Sequence, residues 1–158
     1  IDATLTILQS RLRATAERAE IAIVRQYGDL PPVSCYIGPL NQVFMNLLTN
    51  AIDAIETQLQ QHRSLGCHDI IGQIEIATQI DDNSVTIRVT DNGGGIPAPV
   101  RERIFDPFYT TKQIGKGTGL GLSICYQIVV DRHNGQLLCD SVPGQGTTFT
   151  IVFPYQLV

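Results

Sequence analysis

The stretch GPLNQVFMNLLTNAIDAIETQLQ, residues 38–60, decides how this chain folds. Leu40, Val43, Phe44, Leu47, Leu48, Ala51, Ile52 and Ile55 recur at intervals of three and four. That is the spacing of one helical face, and it predicts a helix over Gly38–Gln60 packed on a sheet. Asn46, Asn50 and Asp53 recur at i, i+4 and i+7 and form a polar stripe on a different side. Asn is a mediocre helix former, so two of them in mid-helix ask for a reason. A solvated face is one. The other is a row of side-chain oxygens able to hold a hard cation such as Mg2+, which takes oxygen ligands and keeps several waters.

Outward from this helix the pattern alternates between periods. Asp2 to Thr15, with Leu5, Leu8 and Leu12, reads as a weak amphipathic helix. Glu20–Tyr27 reads as a strand closed by Gly28-Asp29 and Pro31-Pro32, and Val33–Ile37 as a short strand. Gly72–Ile80 and Ser84–Thr90 are strands joined by the hairpin residues Asp81-Asp82-Asn83. A short helix is expected over Pro97–Ile104 and another over Leu120–Arg132. Strands over Gln136–Asp140 and Thr147–Phe153, with Gly144 and Gly146 between them, complete the chain. Paired strands with helices between them predict an α+β fold, one sheet with its helices on one face, rather than a doubly wound one.

The chain's 158 residues favour one domain, and 43% hydrophobic residues exclude disorder. A net charge of −4 argues against nucleic acid or an anionic membrane as the main partner, since both need clustered cations. No apolar run is long enough to span a bilayer. Cys35, Cys67, Cys125 and Cys139 have no zinc or redox spacing, which predicts free thiols and a cytoplasmic setting. The opening Ile1 suggests a piece of a longer protein.

Two glycine clusters carry chemistry. Asp91-Asn-Gly-Gly-Gly95-Ile-Pro97 follows a strand and lets backbone approach a ligand, though an ordinary tight turn has the same composition. Gly115, Gly117, Gly119 and Gly121 alternate just before a helix begins, where uncrowded amides form an anion site. The spacing is neither that of a P-loop nor that of a dinucleotide fingerprint. Both of the chain's lysines, Lys112 and Lys116, fall here and suggest phosphate neutralisation.

Together these segments resemble the catalytic ATP-binding domain of sensor histidine kinases, in the larger group shared with type II topoisomerases, MutL and heat-shock chaperones. Asn46-Leu-Leu-Thr-Asn50-Ala-Ile-Asp53 resembles the N box, Asp91–Pro97 the first glycine box and Phe105–Lys112 the F box. Gly117–Leu122 resembles the second glycine box and Gly144–Phe149 the third, all in the family's order. The resemblance implies a two-layer sandwich, a mixed, mostly antiparallel sheet covered by three main helices, with ATP or ADP and Mg2+ as ligands.

The resemblance also implies roles. Asn50 would offer an oxygen to Mg2+, with Asn46 beside it; these and Lys112 would be the catalytic residues. Asp91 would accept a hydrogen bond from the adenine amine, with Gly93, Gly95 and Ile96 making room for the base and Thr147 beside it. Lys112, Lys116 and the backbone of Gly117, Thr118, Gly119, Leu120, Gly121 and Leu122 would hold the phosphates. Thr110 to Thr118, including Thr111, would form a mobile lid, and Phe105 of the F box would be among the nucleotide-binding residues. Asp53 stands where many relatives carry a cation, and its part in binding is left open.

Where clamp-type relatives place a Glu that activates water, this chain has Asn46, which favours the kinase branch. His62, His68 and His133 read as loop histidines rather than a phosphoacceptor, so the fragment is expected to be monomeric and to bind nucleotide without phosphorylating itself. Residues 1–15 would then be a connector to a missing histidine-containing dimerisation domain, and 16–158 the catalytic domain. A response regulator would be met through the parent, with neither nucleic acid nor membrane contacted directly. A non-catalytic nucleotide-binding module and an ATPase clamp are the alternatives.

Overall fold

The computed structural model describes residues 1–16, 18–67, 70–81, 83–112 and 117–155. Helices α1 (Asp2–Ile7) and α2 (Gln9–Leu12) open the chain, followed by β1 (Ala22–Tyr27) and the long α3 (Ile37–Ser64). The hairpin of β2 (Gln73–Asp81) and β3 (Ser84–Asp91) leads to α4 (Ala98–Arg101) and α5 (Gly121–Tyr126). Strands β4 (Gln136–Val142) and β5 (Gly146–Pro154) close it. The sheet order is β1-β2-β3-β5-β4, with β1 parallel to β2 and every other pair antiparallel.

One sheet face is apolar. Ile74 and Ile76 of β2, Val85, Ile87 and Val89 of β3, and Phe149, Ile151 and Phe153 of β5 meet the α3 face of Val43, Leu47, Leu48, Ile52 and Ile55 in one core. Each such side chain contributes about 1.5–3 kcal/mol by leaving water. The opposite face is polar, with Thr90 and Thr148 hydroxyls 2.9 Å apart across β3 and β5. This is the two-layer α+β sandwich expected.

Local expectations needed correction. No strand forms over Val33–Ile37: Pro31 and Pro32 precede it, the Tyr36 N–H donates to the His133 ring at 3.1 Å, and Ile37 is the first residue of α3. The N-terminal helix is broken at Leu8, although Leu5, Leu8 and Leu12 are all buried in the main core. The helix expected over Pro97–Ile104 is one turn, followed by i→i−3 turns. Beyond α5 the helix widens to a π-helical stretch, Gln127–Arg132. Asp81 pairs with Ser84, consistent with a tight hairpin, while Asp82 lies outside the described residues.

Candidate functional site

Asp91 ends β3 and is 5% exposed. Its Oδ1 accepts the Gly93 N–H at 2.8 Å, and the Thr147 backbone also donates to the carboxyl. Burial pushes this carboxyl up to about 6 against the pull of both donors. The third glycine turn abuts the first: Gly146 has φ +122°, and a Cβ there would lie 2.0 Å from the Asp91 carbonyl oxygen. Gly144 N–H donates to the Gly94 carbonyl at 2.7 Å, tying the two turns together.

Ser141 in β4, which the sequence did not single out, organises this end. Its Oγ accepts the Ile96 N–H at 2.7 Å and lies 2.9 Å from both the Gly146 carbonyl and the Thr147 hydroxyl. A carbonyl only accepts, so Ser141 gives its proton to Gly146 and Thr147 gives its own to Ser141. The buried Thr147 hydroxyl therefore meets any ligand as an acceptor.

The α3 stripe reaches outward to other segments. Asn46 Nδ2 donates to the Gly121 carbonyl at 3.1 Å and to Cys125 Sγ at 3.6 Å, fixing the start of α5 to α3. Lys112 Nζ donates to Asn50 Oδ1 at 3.4 Å and to Asp53 Oδ2. Arg11 Nη2 donates to Asp53 Oδ1 at 2.8 Å. Burial works to raise the Asp53 carboxyl, but the Lys112 and Arg11 hydrogen bonds outweigh it and hold it below the usual carboxylate value.

The two ends share one side of the molecule. A Cβ on Gly93 would come within 2.8 Å of Ala54 Cβ, and Ala54 lies one turn beyond Asn50, roughly 6 Å along the helix axis.

The lid stretch is described up to Lys112 and again from Gly117; Gly115 and Lys116 lie outside the described residues. Its two ends meet. Gly117 stands against Lys112 and Thr110, and Gly119, at φ +67°, stands against the backbone of Phe108. Thr110 Oγ1 accepts the Lys112 N–H at 3.1 Å, Thr118 Oγ1 accepts the Leu120 N–H at 3.3 Å, and Thr111 is exposed. Among the described residues no side chain caps the start of α5 at Gly121, and the Leu122 side chain packs on the core.

Phe105 and Ile96 stand apart from the stripe. The Phe105 ring stacks tilted on Tyr126 at 5.4 Å, and the Ile96 side chain packs against the core. His62 Nδ1 is 2.9 Å from the Gln58 carbonyl and His133 is hydrogen-bonded at both ring nitrogens, while His68 lies outside the described residues. A cavity of about 330 Å3 between residues 34–36 and 132–134 contains none of the expected site residues.

Residues 36–157 match the family described as histidine kinase-, DNA gyrase B- and HSP90-like ATPase. The chain is 43% identical over 129 residues to a sensor kinase, CckA, of Brucella abortus (strain 2308), covering 80% of this chain and 13% of that protein. It is 33% identical over 156 residues to the signal transduction histidine-protein kinase AtoS of Escherichia coli (strain K12), covering 98% of this chain and 22% of that protein. It therefore spans less than a quarter of the length of either relative. Among solved structures, the nucleotide-free catalytic domain of the histidine kinase ThkA superposes with a TM-score of 0.75 at 28% identity, covering 98% of this chain and 90% of that one.

Proposed function

We propose that this chain, which belongs to the family of histidine kinase-, DNA gyrase B- and HSP90-like ATPases, binds ATP with Mg2+ and donates the γ-phosphoryl group to a histidine on a separate dimerisation domain. It is the ATP-binding catalytic part of a sensor histidine kinase. One observation carries the detailed reading: Asp91, a buried carboxyl at the end of β3, leads into a turn whose Gly93 packs on Ala54, one helical turn beyond Asn50, which brings chemistry suited to a purine edge close to chemistry suited to its phosphate tail.

At the base end, Asp91 accepts from the adenine exocyclic amine. Guanine offers a carbonyl there, and two facing acceptors cost about 1–3 kcal/mol. Gly93, Gly95 and Ile96 give the base its room, and Thr147 accepts from it through water. At the other end, Lys112, Lys116 and the amides from Gly117 to Leu122 hold the phosphates under a lid that includes Thr110 and Thr111. Phe105, on Tyr126, backs that lid.

The residues present fit Mg2+. Asn50 Oδ1 and Asp53 Oδ2 are hard oxygens already turned toward a cation, the Lys112 ammonium. Among the described residues no group of three or more His, Cys, Asp or Glu stands ready as a metal cage. A metal held by Asn50 with phosphates and water suits that sparse donor set. Asn50 Oδ1 would be the protein oxygen that holds the ion, and the chemistry it would supply there is neutralisation of polyphosphate charge. Asn46 gives its amide protons to Gly121 and Cys125 and cannot act as a base toward water. Transfer to a histidine is therefore favoured over steady hydrolysis, and catalysis is mainly positioning.

We assign the site to the cytoplasmic side of the parent, with a response regulator met through that parent and no direct contact with nucleic acid or membrane. Among the described residues no helix is long and apolar enough to cross a membrane. The test is to mix the chain with the parent's helical domain and labelled ATP. Acid-labile phosphohistidine is expected; its absence, with ATP bound, contradicts the transfer step.

A further inference from the structure

Lys112 is held by the stripe it is meant to leave. Its ammonium is hydrogen-bonded to Asn50 Oδ1 at 3.4 Å and paired with Asp53 Oδ2. The other Asp53 oxygen takes Arg11 Nη2 at 2.8 Å, and that same nitrogen reaches Glu56 Oε2 at 2.7 Å. Glu56 Oε1 in turn takes Arg18 Nη2 at 3.0 Å and Nε at 3.2 Å. The Arg18 side chain is 9% exposed and also donates to the carbonyls of Arg11, Arg13 and Ala19. Arg11 and Arg18 are thus both tied to the acids of α3.

Among the described residues, Asp53 and Glu56 are balanced by Arg11 and Arg18, which leaves Lys112 as the surplus cation of the cluster. It can move to a polyphosphate without leaving a bare acid behind. Without Arg11, Asp53 and Lys112 would balance each other alone. Departure of the ammonium would then leave an uncompensated, half-buried carboxylate beside incoming phosphates.

We propose that Arg11, which need not touch the nucleotide, is a positioning residue that keeps Lys112 available to phosphate by neutralising Asp53. This rests on the nucleotide reading above and adds to it a role for the N-terminal segment and for the acid of the stripe.

Two readouts test it. The chain has only two lysines, so acylation with a limiting anhydride, resolved by peptide mass, reports Lys112 against Lys116 without any nucleotide. Arg11→Ala should slow Lys112 labelling about threefold relative to Lys116, and adding Asp53→Asn should reverse this. In calorimetric titration with Mg2+ and ATP, Arg11→Ala should weaken binding about tenfold, with the double variant returning close to Asp53→Asn alone. Arg11→Lys should keep most of the affinity. A double variant as weak as Arg11→Ala would mean that Arg11 only holds structure, and an unchanged labelling ratio in Arg11→Ala would also overturn the proposal. If the unmutated chain binds no nucleotide, the nucleotide reading fails, and the labelling ratio still decides whether Arg11 governs Lys112.

Discussion

The two ends of the proposed nucleotide site are built from different forces. At the Asp91 end a 5% exposed carboxyl is held by backbone N–H groups, and two glycine turns interlock at a distance where no Cβ fits. At the Lys112 end the contacts are between side chains that remain about one-third exposed, Asp53 at 31% and Lys112 at 37%. On the proposed reading, base selectivity is built where the chain cannot yield, and phosphate binding where charges can exchange partners. A substitution at the first end should show as lost stability and at the second as lost affinity.

The largest effect that could break this contrast is at glycine. Gly146→Ala forces a Cβ within 2.0 Å of the Asp91 carbonyl oxygen at φ +122°. It should cost about 4 kcal/mol in urea unfolding, from backbone strain and overpacking together. For Gly117→Ala the nearest described atoms are Lys112 Cδ and the Thr110 hydroxyl at 3.0 Å, both on exposed side chains, and the change should cost about 1 kcal/mol or less. Equal costs would erase the distinction.

Next in size is pH. The Asp91 carboxyl keeps its proton to about 6 when folded, against 3.8 otherwise. The folded chain therefore binds the extra proton in this window, and stability of the nucleotide-free protein should fall as pH rises from about 4 to 6. The loss reaches about 3 kcal/mol and should vanish in Asp91→Asn. Asp53 carries the opposite sign, its lowered carboxyl adding stability that is lost only as pH falls below the usual carboxylate range.

Base discrimination follows, at about 1–3 kcal/mol in favour of ATP over GTP by calorimetry, and Asp91→Ala should remove it. The smallest expected change is the stability of Lys112→Ala, under about 1 kcal/mol for an exposed pair, although the same variant should bind ATP clearly more weakly.

Much of this was legible from local pattern. The α3 stripe, the paired strands and the order of the glycine turns each depend on residues close in sequence. Contacts made at long range were not. Arg11 meets Asp53 across 42 positions and Arg18 meets Glu56 across 38, and no spacing announces either. Ser141 falls just past the strand expected over Gln136–Asp140, and only the pairing of β4, which runs on to Val142, with β5 brings it to Thr147. Val33–Ile37 has strand composition, but its Tyr36 N–H is taken by His133 and α3 starts at Ile37. The break at Leu8 was equally hidden, because the apolar spacing of Leu5, Leu8 and Leu12 survives it and all three reach the core. Asp53 was visible, but its significance depended on partners arriving from both the N-terminal segment and the lid.

The most direct measurement is an amide NMR titration of the chain with Mg2+ and ATP. Resonances of Asp91 to Gly95, of Asn46 to Asp53 and of Gly117 to Leu122 should all shift together along one saturation curve. Shifts confined to a single end, or two ends saturating at separate concentrations, would contradict a single cleft that holds base and phosphates at once.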